Sequence, residues 1–424
     1  MRERLVQRVN AREREQLQEA GEVAAQLGCR LFAAGGSVRD VMLARPIVDW
    51  DLVVEGDGLR FAETLAHRWN GRAICHDRFL TAYVRLPGGA SFDVATAREE
   101  TYRRPGALPQ VTAASIEQDL WRRDFSVNAI AVALNPGEFG HTVDPTGGVV
   151  DIEERLIRAL HEKSFWDDAT RIVRAVGFEQ RLGFALEPQT ELWLRGATRG
   201  GALRTVSSER LGEALLPLLE NSIGPAVLRR AHELGAVEAL GAQRLFTTRT
   251  LHALDEVPAA LPALGEAGNP TYRAVACLTT MLLEQGATAE RISERLHLTR
   301  PIGRELRSAQ RFIGYHAAGL RPARRPGDLW YQLHEASFGG IVGLWLACDE
   351  TEHRQALVRY WRELRYAKLD IAAADLRAAG HRPGPSFGEA IHCAMRAKLN
   401  DGLGRLEQLA LAEGLLNQTD RLHT

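Results

Sequence analysis

Two short stretches gather residues that could do chemistry. Gly35-Gly36-Ser37-Val38-Arg39-Asp40 lies between an apolar run and the start of a helical one, and Asp49-Trp50-Asp51 follows nine residues later. Two glycines between a strand and a helix let the backbone approach an anion, and the helix start turns free N–H groups toward it. Arg39 adds a fork of donors shaped for phosphate oxygens. Asp49 and Asp51, two apart on a strand, leave the same face. Carboxylates that close repel one another unless a cation lies between them, and Mg2+ takes a few carboxylates together with substrate phosphates. The pattern reads as a metal–nucleotide site. A lone Gly-Gly is more often a plain turn and a lone Asp-x-Asp a solvated edge pair, so it is their joint occurrence on consecutive elements that points to a site. Asp93, on a later strand, is either a third acid on the metal face or an ordinary surface acid.

The elements that must position these residues alternate strand and helix over 1–150. Apolar runs at 30–34 and 48–54 read as strands, with a short helix from about Val38 between them and a longer helix from Gly58 through Arg68. Residues 82–86 and 91–95 read as a strand pair joined through Pro87-Gly88-Gly89, whereas 98–117 looks too irregular for either element. From Asp151 onward apolar residues recur at spacings of three and four, as in Leu203, Leu211, Leu215, Leu218 and Leu219, and strand signals disappear. The expected fold is an α+β head, 1–150, followed by an all-helical neck (151–225), body (226–326) and tail (327–424).

The chain has 424 residues, of which 45% are hydrophobic and 25% charged, which suits a globular protein and not a disordered one. No run of eighteen apolar residues could span a membrane, and the charged start Met1-Arg2-Glu3-Arg4 lacks the apolar stretch of a signal peptide, so a cytoplasmic location is expected. The five cysteines stand singly, which argues against a disulfide framework or a zinc knuckle. Lys+Arg number 53 and Asp+Glu 54, a net charge of −1 that at first speaks against a nucleic-acid partner. The charge is unevenly spread, however. Between Arg291 and Arg325 stand nine arginines and only two acids, Glu294 and Glu305; Arg300, Arg304, Arg307 and Arg311 fall on one helical face. A second, weaker basic set is Arg354, Arg359, Arg362, Arg365 and Lys368.

Taken with Asp93 to Arg98, Arg122-Arg123-Asp124-Phe125-Ser126-Val127-Asn128-Ala129, Asp167-Asp168-Ala169-Thr170-Arg171 and Glu209-Arg210, the glycine and Asp-x-Asp motifs resemble those of the class II tRNA nucleotidyltransferases, the CCA-adding enzymes and their bacterial poly(A) polymerase relatives. The resemblance runs from about residue 20 to about residue 220. It implies a polymerase β-like head, Asp49 and Asp51 as ligands of two Mg2+ ions with Asp93 beside them, and Gly35, Gly36, Ser37 and Arg39 at the triphosphate. It further implies Arg98 and Arg123 near the nucleotide, with Asp124 and Asn128 supporting the sugar and the loop. Ser126 stands where the family usually has Thr. Gly177 stands where relatives usually carry Arg.

Asp168 and Arg171, three apart in a stretch read as one helix over 164–182, are the most informative pair chemically. Adenine and cytosine offer an amino donor beside a ring-nitrogen acceptor; guanine and uracil offer a carbonyl beside a ring N–H. An ionised carboxylate only accepts and a guanidinium only donates, so the pair would accept A and C and mismatch G and U. The plain alternative is an i,i+3 ion pair. Arg174, one turn on, is placed to support the base or the triphosphate. Ser164 and Asp167 have the spacing of a helix start, with Asp167 complementing the helix N-terminus.

These readings converge on an enzyme acting on the tRNA 3′ end with ATP, CTP being the second candidate substrate. The segment 102–109 with Asp119-Leu120 looks most like bacterial enzymes that add only the final A after a separate CC-adding enzyme has acted. Full CCA addition, CC addition and a poly(A) polymerase are the alternatives within the family, and a catalytically dead RNA-binding module is the alternative outside it. Near-neutral charge opposes the polymerase, and an intact Asp49/Asp51 pair opposes the dead module. The arginine face at 300–311 is the expected RNA contact.

Overall fold

The computed structural model describes the chain except residues 48, 88, 102–109, 243–244, 320 and 423–424, and it divides into two compact units, Met1–Arg210 and Leu211–Thr424. Nine strands occur among the described residues of the first unit's head: β1 (Arg30–Ala34), β2 (Trp50–Glu55), β3 (Arg72–His76), β4 (Thr81–Arg85), β5 (Ser91–Thr96), β6 (Arg98–Thr101), β7 (Gln110–Ala113), β8 (Ala131–Ala133) and β9 (Thr142–Val143). Seven of them form one sheet in the order β3-β4-β5-β2-β1-β8-β9. Every pairing in it is antiparallel except β2–β5, which is parallel. Parallel neighbours need a crossover, and here it consists of the helix Gly58–Arg68 and the β3–β4 hairpin. That helix buries Phe61, Ala62, Leu65 and Ala66, the i, i+1, i+4, i+5 face of an amphipathic helix, and Asp57 caps it by accepting from the Arg60 N–H. Beside the central strands, Phe32, Val53, Ile116, Leu120 and Ala131 belong to one buried apolar cluster.

The structure differs from the sequence expectation in four places. The stretch at 98–117 is not irregular at its ends: β6 and β7 pair antiparallel, with Arg98 opposite Ala113 and Thr101 opposite Gln110. Polar contacts pin this ribbon, Gln118 to Glu99 at 2.6 Å and Arg122 to Glu100 at 2.7 Å, so no apolar alternation announces it. Its tip, 102–109, lies outside the described residues, and the comparison with A-adding enzymes drawn from that segment lies there too. Strands also occur beyond residue 151, as Leu156–Ile157 pairs parallel with Ala185–Leu186.

The third difference is the helix read over 164–182, which is two helices, Ser164–Asp167 and Thr170–Leu182. Asp168 between them has extended backbone (φ −140°, ψ 100°), and its Oδ1 accepts from the Thr170 N–H at 3.0 Å and the Thr170 hydroxyl at 2.7 Å. A short acidic side chain that bonds the backbone two residues on ends one helix and starts another. Fourth, Ser164 is not the expected N-cap. Lys163 occupies that position, and the Ser164 hydroxyl accepts from Arg171 instead.

The second unit is helical throughout its described residues, as expected. Its central helix, Phe338–Ala347, is buried at every position. Gly339, Gly340 and Gly343 let it approach helix Arg300–Ala317 closely: a Cβ on Gly339 would lie 2.0 Å from the Glu305 carbonyl oxygen. The Glu305 carboxylate caps that helix start, accepting from the Gly339 N–H at 2.7 Å and from the Ser337 hydroxyl at 2.5 Å. No helix among the described residues is long and apolar enough to cross a membrane.

The packing predicts opposite outcomes for two Gly→Ala changes. Gly339→Ala overpacks a helix contact and should cost about 1–3 kcal/mol, read as a thermal midpoint several degrees lower. Gly388→Ala, on the exposed side of helix Pro385–Asp401 with nothing near the new Cβ, should leave stability unchanged or raise it by up to about 1 kcal/mol.

Candidate active site in the head

The parallel register of β2 and β5 places Asp51 directly beside Asp93 and Trp50 beside Phe92. Trp50 and Phe92 point into the protein, so both acids point out of it. Asp49 joins them: its Oδ1 lies 3.4 Å from the hydroxyl of Ser91, which shares Asp93's face two residues earlier on β5. None of the three carboxylates has an ion-pair partner among the described residues. Burial pushes the Asp51 carboxyl above the ordinary Asp range. Arg123 and the Gly36 N–H pull it partly back, while the charges of Asp93 and Asp49 push it further up. Asp93 is raised as well, by desolvation and then by Asp49. Such a set fits a divalent cation: hard oxygen donors that repel one another and lack a counterion.

Gly35 and Arg123 bound the same space. Gly35 has φ 76°, a left-handed conformation that favours glycine, and a Cβ there would lie 2.7 Å from Arg123 Nη1 and 3.1 Å from Asp51 Oδ2. Gly36 begins helix Gly36–Met42 and donates its N–H to Asp51. Ser37 is buried, and its hydroxyl donates to the Ala34 carbonyl at 3.1 Å, so its backbone alone is left to meet an anion.

Arg39 differs from the expectation of a free phosphate fork. It is 4% exposed, clasps Asp40 with Nε and Nη2 at 2.9 Å each, and donates from Nη1 to Asn128 Oδ1 at 2.6 Å. Asn128 in turn donates to Asp124 Oδ1 at 3.1 Å, and Asp124 Oδ2 accepts from Arg174 Nε at 2.9 Å. An unbroken polar chain, Asp40–Arg39–Asn128–Asp124–Arg174, thus ties the glycine turn to helix Thr170–Leu182. Although burial alone would raise Asp124, Arg174 and the Asn128 amide outweigh it and hold the carboxyl below its usual range. Phe178 lies under this chain, with the guanidiniums of Arg39, Arg174 and Arg181 at 5.4, 5.6 and 4.9 Å from its ring centre. Gly177, beside it, is buried in the same helix.

Sequence reasoning missed a second anchor, Asp119. Its fully buried carboxylate bridges Arg122 and Arg123 at 2.7 and 3.0 Å and accepts from the Arg98 N–H at 3.2 Å. Burial pushes that carboxyl up, but the two arginines outweigh it and keep it ionised. The i,i+3 and i,i+4 spacing of 119, 122 and 123 was the available signal. Arg98 itself turns inward, donating to the Phe79 carbonyl and facing Glu100 at 3.4 Å.

Asp168 and Arg171 do not pair with each other, which corrects both expectations of a shared helix face. Asp168 Oδ2 binds Arg210 at 2.8 Å. Arg171, 6% exposed, donates to the Ser164 hydroxyl at 2.6 Å and to the Arg122 carbonyl at 2.9 Å. It therefore joins helix Thr170–Leu182 to the arginine-bearing loop after helix Ile116–Trp121. Arg300, Arg304, Arg307 and Arg311 are all exposed on one face of helix Arg300–Ala317; Arg311 pairs with Glu335 at 3.1 Å, and the other three have no acidic partner among the described residues. The second basic set is largely engaged, Arg354 by Glu256 at 2.6 Å and Arg362 by the Pro262 carbonyl at 2.7 Å.

The raised Asp51 and Asp93 carboxyls carry a sign that can be tested. The folded chain binds their protons more tightly than the unfolded chain does, so stability falls as pH rises from the ordinary Asp value, about 4, through the raised ones. In chelator at pH 7, Asp51→Asn should therefore unfold a few degrees higher than wild type, and added Mg2+ should raise wild type more than the variant. A variant less stable than wild type in chelator would contradict the electrostatic account.

Residues 31–158 match the poly A polymerase head domain family. The chain is 34% identical over 398 residues to the A-adding tRNA nucleotidyltransferase of Geobacter sulfurreducens, covering 91% of this chain and 45% of that protein. It is 39% identical over 227 residues to the A-adding tRNA nucleotidyltransferase of Halalkalibacterium halodurans, 53% of each. The chain thus matches about half the length of these relatives. In structure it resembles the Thermotoga maritima CCA-adding enzyme complexed with tRNA_CCA, with a TM-score of 0.82 at 29% identity over 98% of both chains. The motifs, the sheet that sets Asp51 beside Asp93 and these likenesses agree: residues 31–158 match the poly A polymerase head domain family, and the chain is similar to A-adding and CCA-adding tRNA nucleotidyltransferases.

Proposed function

We propose that the chain builds or repairs the 3′-terminal CCA of tRNA without a nucleic-acid template, adding the terminal A from ATP. The carrying observation is Asp51 held beside Asp93, with Asp49 close enough for its charge to raise both and no cationic side chain among the described residues paired to any of them. Asp49 and Asp51, with Asp93 adjacent, would hold two divalent ions, and the all-carboxylate donor set favours Mg2+. Bound there, such ions lower the pKa of an RNA 3′-hydroxyl and neutralise the triphosphate from which pyrophosphate leaves.

The protein's own groups orient the substrates. The backbone of Gly35, Gly36 and Ser37 would receive the triphosphate, with Arg123, the guanidinium that pulls Asp51 down, at its edge. Arg39 and Asn128 act as struts of that cradle, and Arg98 steadies Asp119 behind Arg123. Asp124 and Arg174 border the nucleotide from the side of helix Thr170–Leu182. Asp168 would accept the amino group of adenine, or of cytosine, where guanine and uracil present a carbonyl. Arg210 and Thr170 aim its carboxylate, and Arg171 would brace the start of helix Thr170–Leu182 beside it.

Adenylation is favoured because the Geobacter sulfurreducens relative, matched over 91% of this chain, is named A-adding. A separate enzyme would then supply the CC end. Full CCA addition is the second reading, favoured by the likeness to the Thermotoga maritima CCA-adding enzyme. In either case Arg300, Arg304, Arg307 and Arg311 would meet the phosphates of one folded RNA, recognised by shape, and the work would be done in the cytoplasm.

The test offers tRNA transcripts ending in the discriminator base, in C or in CC, each with one labelled NTP and Mg2+. Incorporation of A on the CC-ending transcript alone is expected; incorporation of CTP would replace the A-adding reading with the CCA-adding one. Asp51→Ala should lose roughly two orders of magnitude or more in rate, the scale of removing one transition-state stabiliser. Asp168→Ala should narrow the preference for ATP over GTP by roughly a hundredfold or more, and a variant that still rejects GTP would refute base reading by this carboxylate.

A further inference from the structure

Away from the head, one cluster of soft and hard donors has no role in the reaction above. Helix Phe338–Ala347 ends at Cys348, Glu350 stands at the N-cap of helix Thr351–Arg362, and His353 falls in that helix's first turn. His353 Nδ1 lies 3.4 Å from Cys348 Sγ and in ion-pair contact with Glu350 Oε2. One donor atom from each of the three residues lies within 4.8 Å of the other two.

The same ring nitrogen faces both the thiol and the carboxylate. A hydrogen-bonded relay would use the two imidazole nitrogens, one toward each partner, whereas a single nitrogen carries at most one proton. Three donor atoms within 4.8 Å of one another can reach a single ion with small side-chain adjustments. Zinc–sulfur and zinc–nitrogen bonds of about 2.3 and 2.0–2.1 Å at a tetrahedral angle put the two ligand atoms about 3.6 Å apart, close to the 3.4 Å observed.

We propose that Cys348, Glu350 and His353 form a site for a transition-metal ion of the zinc class, with its fourth position open to water. A sulfur–nitrogen–oxygen set excludes the hard ions suited to the head and selects zinc-like ones. The thiol is held from inside at 3% exposure, while the Glu350 side chain, 63% exposed, leaves a path for entry. The turn is fixed in advance: Arg354 Nε donates to the Cys348 carbonyl at 2.8 Å, and its Nη1 is anchored on Glu256 at 2.6 Å. Binding exchanges the thiol proton for the metal and releases that proton to solvent, so no other reactant is needed. The ion would staple the end of the unit's central buried helix to the start of the next.

The experiment adds Co2+ to the full chain after chelator treatment and removal of the chelator. A near-ultraviolet thiolate-to-cobalt charge-transfer band should appear, be lost in Cys348→Ser, persist in Cys393→Ser and bleach with Zn2+. His353→Ala keeps the buried thiol and should weaken Co2+ binding by about tenfold or more; Zn2+ should raise the thermal midpoint of wild type and not of this variant. No charge-transfer band in wild type, a band that survives in Cys348→Ser, or wild-type affinity in His353→Ala would each overturn the site.

Discussion

The head is organised around one unfavourable juxtaposition: the parallel β2–β5 register lays Asp51 against Asp93, and Asp49 closes in from the start of β2. In a sheet otherwise antiparallel, this single parallel pairing requires a helix and a hairpin as crossover, and the architecture on that side exists to allow it. Like charges at this separation raise one another's pKa and cost stability as long as nothing neutralises them. Among the described residues no lysine or arginine pairs with them, and Arg123, whose charge acts on Asp51, is itself restrained by Asp119. The arrangement is comprehensible as a seat for divalent cations together with the phosphates they accompany.

Around that seat the buried charges are paired in chains. Asp40, Arg39, Asn128, Asp124 and Arg174 connect the glycine turn to helix Thr170–Leu182, and Asp119 gathers Arg98, Arg122 and Arg123 beside it. Buried ions of this sort contribute little net stability over apolar substitutes, yet removing one member strands its partner and is strongly destabilising. Their value lies in position: each locks the rotamers of its neighbours around the glycine turn. Arg171 is the clearest case, since it reaches from its helix to Ser164 and to the Arg122 carbonyl, making helix Thr170–Leu182 and the arginine-bearing loop one body.

Much of this was legible in the sequence, and the exceptions have physical causes. The glycine turn, β1, the helix Gly58–Arg68 and the β4–β5 pair follow from apolar patterning and turn residues, and the same-face placement of Asp49 and Asp51 follows from strand periodicity. The placement of Asp93 beside Asp51 was open, because register between strands far apart in sequence is not written in either strand alone. β6 and β7 were hidden because charged contacts hold them. The break at Asp168 was hidden because its capping is done by its own carboxylate, and it changed the reading of the Asp168–Arg171 pair from one helix face to two separately anchored groups. The charge balance likewise resolved only in three dimensions: Glu305, counted among the acids near the arginine stripe, is spent on capping helix Phe338–Ala347 and leaves Arg300, Arg304 and Arg307 unopposed.

The central claim, that the β2–β5 acids form a divalent-cation seat, is tested most directly by counting bound Mn2+ from the loss of the free-ion electron paramagnetic resonance signal. Wild type should take up Mn2+, and Asp51→Asn and Asp93→Asn should each lose that uptake in the head while retaining the wild-type circular dichroism spectrum. Folded variants that bind as much Mn2+ as wild type, with the same affinity, would contradict it.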